Sequence, residues 1–215
     1  ATNNLLNVGT GLTVAGAGYA IKQAMDLERT KITFKVFLGD MEKAKQLFKE
    51  LNDFADFSPF DNNQTYDAAK ALLPFFDNAK EIIPLLGKIG DVATGVGMPL
   101  TELATTIAKI KARDIVQADE LEILQTAGIT TKDIAKTMGV NANQIMDLSR
   151  KRKIDYKVIE KTLTDMTSEG GRFHNLMTTI AGTTSGKLST AIGKANLTLT
   201  ELTERLLPMI NSSLD

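Results

Sequence analysis

The 215-residue chain contains no cysteine, no tryptophan and a single histidine, His174. The absence of cysteine excludes a disulfide scaffold, a thiol nucleophile and Cys-ligated zinc. Any imidazole relay or histidine metal site would have to run through His174 alone. Neither sign of charge is in excess: 25 Lys and Arg face 26 Asp and Glu, a net charge of −1. That balance argues against a generally basic surface for nucleic acid or anionic membrane. What is present is ordinary for a globular chain, 43% hydrophobic and 24% charged residues. The length suits one or at most two domains with a buried core.

The chain opens at Ala1 rather than Met, which reads as a piece of a longer protein. From Ala1 to Ile21 it carries no charge. No basic n-region is present, so this is not a secretory signal. Asn3, Asn4, Asn7, Thr10 and Thr13 are polar, and Gly9, Gly11, Gly16 and Gly18 weaken an isolated helix. Gly11, Ala15, Gly18 and Ala20 would let another helix approach closely. Packing against protein is the favoured reading, with membrane contact through residues 1–21 left open. Residues 1–30 are accordingly expected to form an apolar, Gly-rich helical arm, and 31–215 a globular helical domain.

From Asp40 onward the pattern is helical. Asp40 is placed as an N-cap, and Met41, Ala44, Leu47, Phe48, Leu51, Phe54 and Ala55 recur at three- and four-residue spacing up to Ser58-Pro59. Before it, Ile32-Thr33-Phe34-Lys35-Val36 alternates apolar and polar, the single strand-like signal in the chain. Further helices are expected at about 64–73, 79–93, from Pro99 onward with Leu100, Leu103, Ala104, Ile107 and Ile110 inward, then at 117–127, 131–138, 142–151, 155–168, 173–182 and 186–210. Gly95-Val96-Gly97 is expected to break the chain before Pro99. The fold class is therefore all-α: eight to ten short helices in a compact domain, with at most one short strand-like segment. No repeat and no sustained apolar heptad marks a solenoid or a long coiled coil.

Candidate chemistry is thin. His174, in Gly170-Gly171-Arg172-Phe173-His174, has no nucleophile motif beside it and reads as a structural, partly exposed histidine. Asp119, Glu120 and Glu122 stand where a helix begins and read as dipole-complementing carboxylates rather than metal ligands. No phosphate-binding glycine motif is present. Asn63-Gln64-Thr65, Asn196-Leu197-Thr198 and Asn211-Ser212-Ser213 match the glycosylation triplet but lack a secretory context. No catalytic, cofactor-binding or metal-binding residue is assigned, and the chain is read as non-enzymatic. One constellation carries a second reading. Thr131 to Ile145, with Ala135 at the crossing, Gly139 at the turn and Val140 and Ile145 as apolar contacts, has helix-turn-helix spacing. Arg150-Lys151-Arg152-Lys153 follows and would meet phosphates, so a DNA-binding protein using 131–153 is the alternative. Two helices meeting at a sharp angle need the same residues whatever they bind.

Several segments occur in an order that identifies a family. They are Leu27-Glu28 through Ile32-Thr33-Phe34 to Leu38-Gly39, then Ala44 and Leu47, then Phe57-Ser58-Pro59-Phe60. Ala69 leads on to Ile83-Pro84 and Leu86-Gly87-Lys88-Ile89-Gly90-Asp91-Val92-Ala93. Leu103-Ala104, Ile110-Lys111-Ala112, Leu121, Leu124 and Ala127-Gly128-Ile129 follow, and then the Ala135 to Val140 element. The closing segment is Thr167-Ser168-Glu169-Gly170-Gly171-Arg172-Phe173 with Met177 and Thr184 to Ser189. From about Ile32 to Leu207 the chain resembles the conserved N-terminal region of bacteriophage or prophage tail tape measure proteins. Asp61 to Gln64, longer and more polar, and Phe75-Phe76, in place of a Gly-containing turn, depart from the pattern.

The resemblance implies a structural tail component that sets tail length and scaffolds tail-tube assembly, without cofactor. It further implies a place in the lumen of the tail tube, and in the host cytoplasm during assembly. Expected partners are tail tube, tail tip or baseplate proteins, or tail assembly chaperones, together with self-association; nucleic acid is not among them. Pro59, Pro74, Pro84 and Pro99 fold this stretch back on itself. It is therefore expected to be a globular docking module rather than the ruler.

Overall fold

A computed structural model of the chain describes residues 14–76, 78–183, 187, 190, 191, 193–195, 197, 198, 202 and 203, with backbone alone for 14–20. One compact unit spans Lys31–Gly193; Ala1–Thr30 and Lys194–Asp215 make up the other. Among the described residues there is no strand. The α-helices are α1 (Val14–Leu38), α2 (Met41–Asp56), α3 (Asn62–Leu72), α4 (Ile82–Val96), α5 (Leu100–Arg113), α6 (Ala118–Thr126), α7 (Thr131–Met138), α8 (Ile145–Arg150), α9 (Tyr156–Thr167) and α10 (Leu176–Ala181). Short 3-10 turns at 73–75, 79–81 and 142–144 join them. The expected helix at 186–210 and most of the arm at 1–21 lie outside the described residues.

Side-chain caps set many of the starts. The Asp40 carboxylate accepts from the Lys43 amide at 2.9 Å, and Asp155 accepts from Val158 at 3.0 Å. Asp61 and Gln64 form a reciprocal box, which starts α3 at Asn62, two residues before the expected boundary. The polar stretch Asp61 to Gln64 is thus a helix start. Ends are set by left-handed residues, Gly97 after α4 (φ 71°) and Gly139 after α7 (φ 68°).

The core of the 31–193 unit is built from α2, α3, α4, α5 and α9. All five expected inward positions of α5, Leu100, Leu103, Ala104, Ile107 and Ile110, are fully buried. Leu72, Ile82, Leu86 and Ile89 join them from α3 and α4, and Leu47 and Leu51 from α2. Phe48 stacks on Tyr66 with ring centroids 4.8 Å apart. Each large aliphatic chain buried this way contributes about 1.5–3 kcal/mol.

One local expectation is corrected and another is narrowed to a single residue. The strand-like stretch Ile32 to Val36 is the last part of α1. Phe34 is fully buried while Ile32 and Val36 are exposed. With Ala24 and Leu27 also buried, the burial follows helical spacing, which overrides the local β preference of Ile and Val. The expected break at Gly95-Val96-Gly97 comes at its last residue, left-handed Gly97, so α4 runs through Gly95 to Val96. A Cβ at Gly95 would lie 2.5 Å from Phe173 Cδ1, so this glycine makes room for a neighbour instead of ending the helix.

Candidate functional site

The helix-turn-helix-like corner forms where its spacing placed it. Ile134 and Ala135 on α7 are buried, Gly139 takes the left-handed turn, and the Val140 amide closes onto the Ala135 carbonyl at 3.0 Å. Ile145 is fully buried, and the Ser149 hydroxyl donates to the Val116 carbonyl at 3.0 Å. One face of α8 is thereby spent inside the protein. The helix is six residues long and presents Asp147 and Arg150 to solvent, while the 3-10 turn that enters it presents Asn143 and Gln144. Asp147 pairs with Lys151 at 2.7 Å, which places a carboxylate in the middle of the would-be phosphate-facing run.

The segment with the most specific geometry is the one after α9. Gly170 adopts φ 80°, and Gly171 packs its α-carbon face against the Met166 carbonyl, where a Cβ would overlap. The Phe173 amide donates back to the Met166 carbonyl at 3.0 Å. This turn sends Arg172 and Phe173 in different directions. The Arg172 guanidinium donates to the Gly128 carbonyl, and to Asp133 Oδ2 at 2.7 Å. Phe173 enters a notch bordered by Gly95 and Gly128, where any added Cβ would press on its ring. Met177 sits against Gly90 in the same manner. The Ala127-Gly128-Ile129 and Gly170 to Phe173 segments of the family pattern are therefore one contact.

Asp133 has a double role. Its carboxylate accepts from the Thr130 amide at 2.7 Å and hydroxyl at 2.6 Å, capping α7, while receiving Arg172. Burial alone would raise its pKa; the Thr130 bonds and the Arg172 charge outweigh it and hold the group below the ordinary carboxylate range. Asp91 on α4 caps α10, accepting from the Met177 amide at 2.8 Å. Burial dominates there and pushes its carboxyl above the ordinary range.

His174 belongs to this segment as well. Its Nδ1 lies 3.0 Å from the Thr167 carbonyl and its Nε2 3.0 Å from Asn175 Nδ2, so the ring links neighbouring turns. Glu120 is buried and accepts from the Gln117 amide at 2.8 Å and Arg113 at 2.6 Å; Asp119 and Glu122 point outward. Among the described residues no group of His, Asp and Glu converges as metal ligands. Asn63 lies exposed in α3; Asn196 and Asn211 are outside the described residues. No described helix is long and apolar enough to cross a membrane.

Arg172–Asp133 and Asp91 were not assigned from sequence. A signal for the second existed: Lys88 and Asp91 are the charged residues of the otherwise uncharged α4. Each ties that helix to a neighbour, Lys88 donating to Thr164 of α9 at 2.8 Å and Asp91 holding α10.

A family model described as tape measure protein matches residues 18–201. No curated protein and no solved structure matches the chain. The matched span contains α2 to α10, the corner at 131–153 and the Gly170 to Phe173 contact. The chain belongs to the tape measure protein family, structural proteins of bacteriophage tails.

Proposed function

We propose that residues 31–193 act as a globular docking module of a tape measure protein, and that the ruler is continuous helix elsewhere in that protein. The observation that carries this is the repeated turning of the chain. Helix extends by about 1.5 Å per residue, so residues 31–193 as one helix would span about 240 Å. Instead α2 to α10 are each 16 residues or shorter, and caps or left-handed residues stop them. Such a unit offers surface rather than length. In this reading it docks onto tail tube, tail tip or baseplate proteins, or an assembly chaperone. It does so in the host cytoplasm during assembly and in the tube lumen afterwards.

The test uses the parent gene. In-frame removal of helical blocks outside residues 1–215 is expected to shorten tails by about 1.5 Å per residue, measured by electron microscopy. Leu103→Asp, which places a charge in the core of this unit, is expected to reduce the number of tails without changing their length. Tails that keep their length when helical blocks are removed would refute the reading.

A further inference from the structure

Helices α4, α6, α7 and α8 end in the same closing turn. Just past each end an amide returns to a carbonyl five residues back: Met98 to Ala93 at 2.9 Å, Ile129 to Leu124 at 2.8 Å, Val140 to Ala135 at 3.0 Å and Lys153 to Leu148 at 2.9 Å. The residue before each of those amides is left-handed. At the first three ends it is glycine, Gly97, Gly128 and Gly139; at the fourth it is Arg152, with φ 55°. A side chain is strained in that conformation and glycine is not. This position therefore keeps a guanidinium against the preference of its own backbone, and such strain collects where a side chain has work to do.

Arg152 lies in a short projection fixed at both ends by one residue. The Val116 carbonyl accepts from the Ser149 hydroxyl at 3.0 Å, and the Val116 amide donates to the Ile154 carbonyl at 2.9 Å. Ser149 and Ile154 are buried, while Arg150, Lys151, Arg152 and Lys153 between them are exposed. Lys151 is held by Asp147. Arg150, Arg152 and Lys153 have no carboxylate at ion-pair distance among the described residues. The neighbouring acids are occupied: Asp155 accepts from the Val158 amide at 3.0 Å and Asp114 from the Tyr156 amide at 3.2 Å. Three cations without a counter-charge thus stand on a backbone that is already ordered, so binding does not have to order it.

The kind of anion follows from the borders. Asp147 precedes the projection, Asp155 follows it, and Asp114 reaches the same stretch through the Tyr156 amide. A nucleic-acid duplex, with a phosphate charge every ~1.7 Å along its axis, would lay phosphates against those carboxylates as well as against the cations. A short acidic segment of a protein covers the cations alone, and a guanidinium takes a carboxylate through two parallel hydrogen bonds. Resting on the docking role above, we propose that Arg150, Arg152 and Lys153 form the surface by which this unit holds an acidic segment of a partner protein.

The probe is a fluorescein-labelled oligoglutamate peptide of about eight residues, titrated with the 215-residue chain in about 20 mM salt and followed by anisotropy. Wild type is expected to bind it, with affinity falling as salt is added. Arg152→Gly removes a cation and relieves the turn in one step. It is expected to bind about threefold more weakly. It is also expected to melt about 2 °C above wild type, which separates lost binding from lost folding. Arg150→Gln, Arg152→Gly and Lys153→Gln together are expected to abolish binding. Lys45→Gln with Lys49→Gln, which removes two lysines paired along α2, is expected to leave it unchanged. The proposal is overturned by a wild type that does not bind, or by an Arg152→Gly protein that binds as wild type does or melts below it. It is equally overturned by a triple variant that still binds, by loss of binding in the α2 variant, or by a DNA duplex of about 20 base pairs that binds more tightly than the peptide. None of these outcomes touches tail length, through which the docking role is tested.

Discussion

Within the 31–193 unit, helices α3 to α5 and the segment from Met166 to Met177 are both buried, but by different means. In α3 to α5 the work is done by volume at helical spacing: Leu72, Leu86, Ile89, Leu103 and Ile107 are fully buried, and any side chain of similar bulk would serve. In the closing segment the partners of Phe173 and Met177 are glycines, Gly95, Gly128 and Gly90. The links there are polar and specific, Arg172 to Asp133 and Asp91 to the Met177 amide. The first region is a core that tolerates repacking. The second is a set of mutual fits, each of which fails when one atom is added or one charge removed.

The largest effect is expected in the first region. Ile107→Ala should cost about 4 kcal/mol, because Ile107 is fully buried and its truncation leaves a cavity in the core; urea denaturation measures it. Leu103→Met, which keeps the volume, should cost less than about 1.5 kcal/mol. In the closing segment the ordering by size reverses. Gly171→Ala adds a single carbon, yet it meets the backbone carbonyl of Met166, which cannot rotate away. Its expected cost is about 3 kcal/mol, at the upper end for overpacking. A Gly171→Ala protein as stable as wild type would erase the contrast between the two regions.

The same difference explains what was legible in the residues. Leu100, Leu103, Ala104, Ile107 and Ile110 declare α5 because the period of a helix repeats within one segment. Asp40 and Gly139 declare a start and a stop because caps act over three or four residues. Gly95 could not be read correctly, since its reason lies 78 positions away in Phe173, and a lone glycine also looks like a breaker. Arg172 could be quoted as part of a family pattern but not given a partner, because Asp133 is distant in sequence and looks like an ordinary capping residue. Ile32 to Val36 misled in the opposite direction: three apolar residues at alternating positions fit a strand locally, while the burial of Ala24, Leu27 and Phe34 is the helical pattern that prevails.

The smallest effect separates the two regions by chemistry rather than by size. Arg172 is 46% exposed, so its pair with Asp133 is worth about 1 kcal/mol, and Arg172→Ala should cost about that much near neutral pH. The loss should depend on pH in one direction. The Asp133 carboxyl is held below its ordinary value of 3.8 in the fold, so its stabilising contribution is complete above that value. It disappears as pH falls through the lower, folded value, where the carboxylate is neutralised and Arg172 has no anion to meet. Asp91 has the opposite sign: its folded carboxyl is raised, so its contribution is present at acid pH and lost as pH rises through that raised value. Denaturation of wild type and Arg172→Ala should therefore show a constant gap from about pH 7 to pH 5 that narrows toward pH 3, while Ile107→Ala keeps its full deficit throughout. A gap that persists undiminished in acid would assign the role of Arg172 to the Gly128 carbonyl and the face of Phe173, 5.1 Å from the guanidinium, instead of Asp133. The closing segment would then be held, like the core, by contacts that do not titrate.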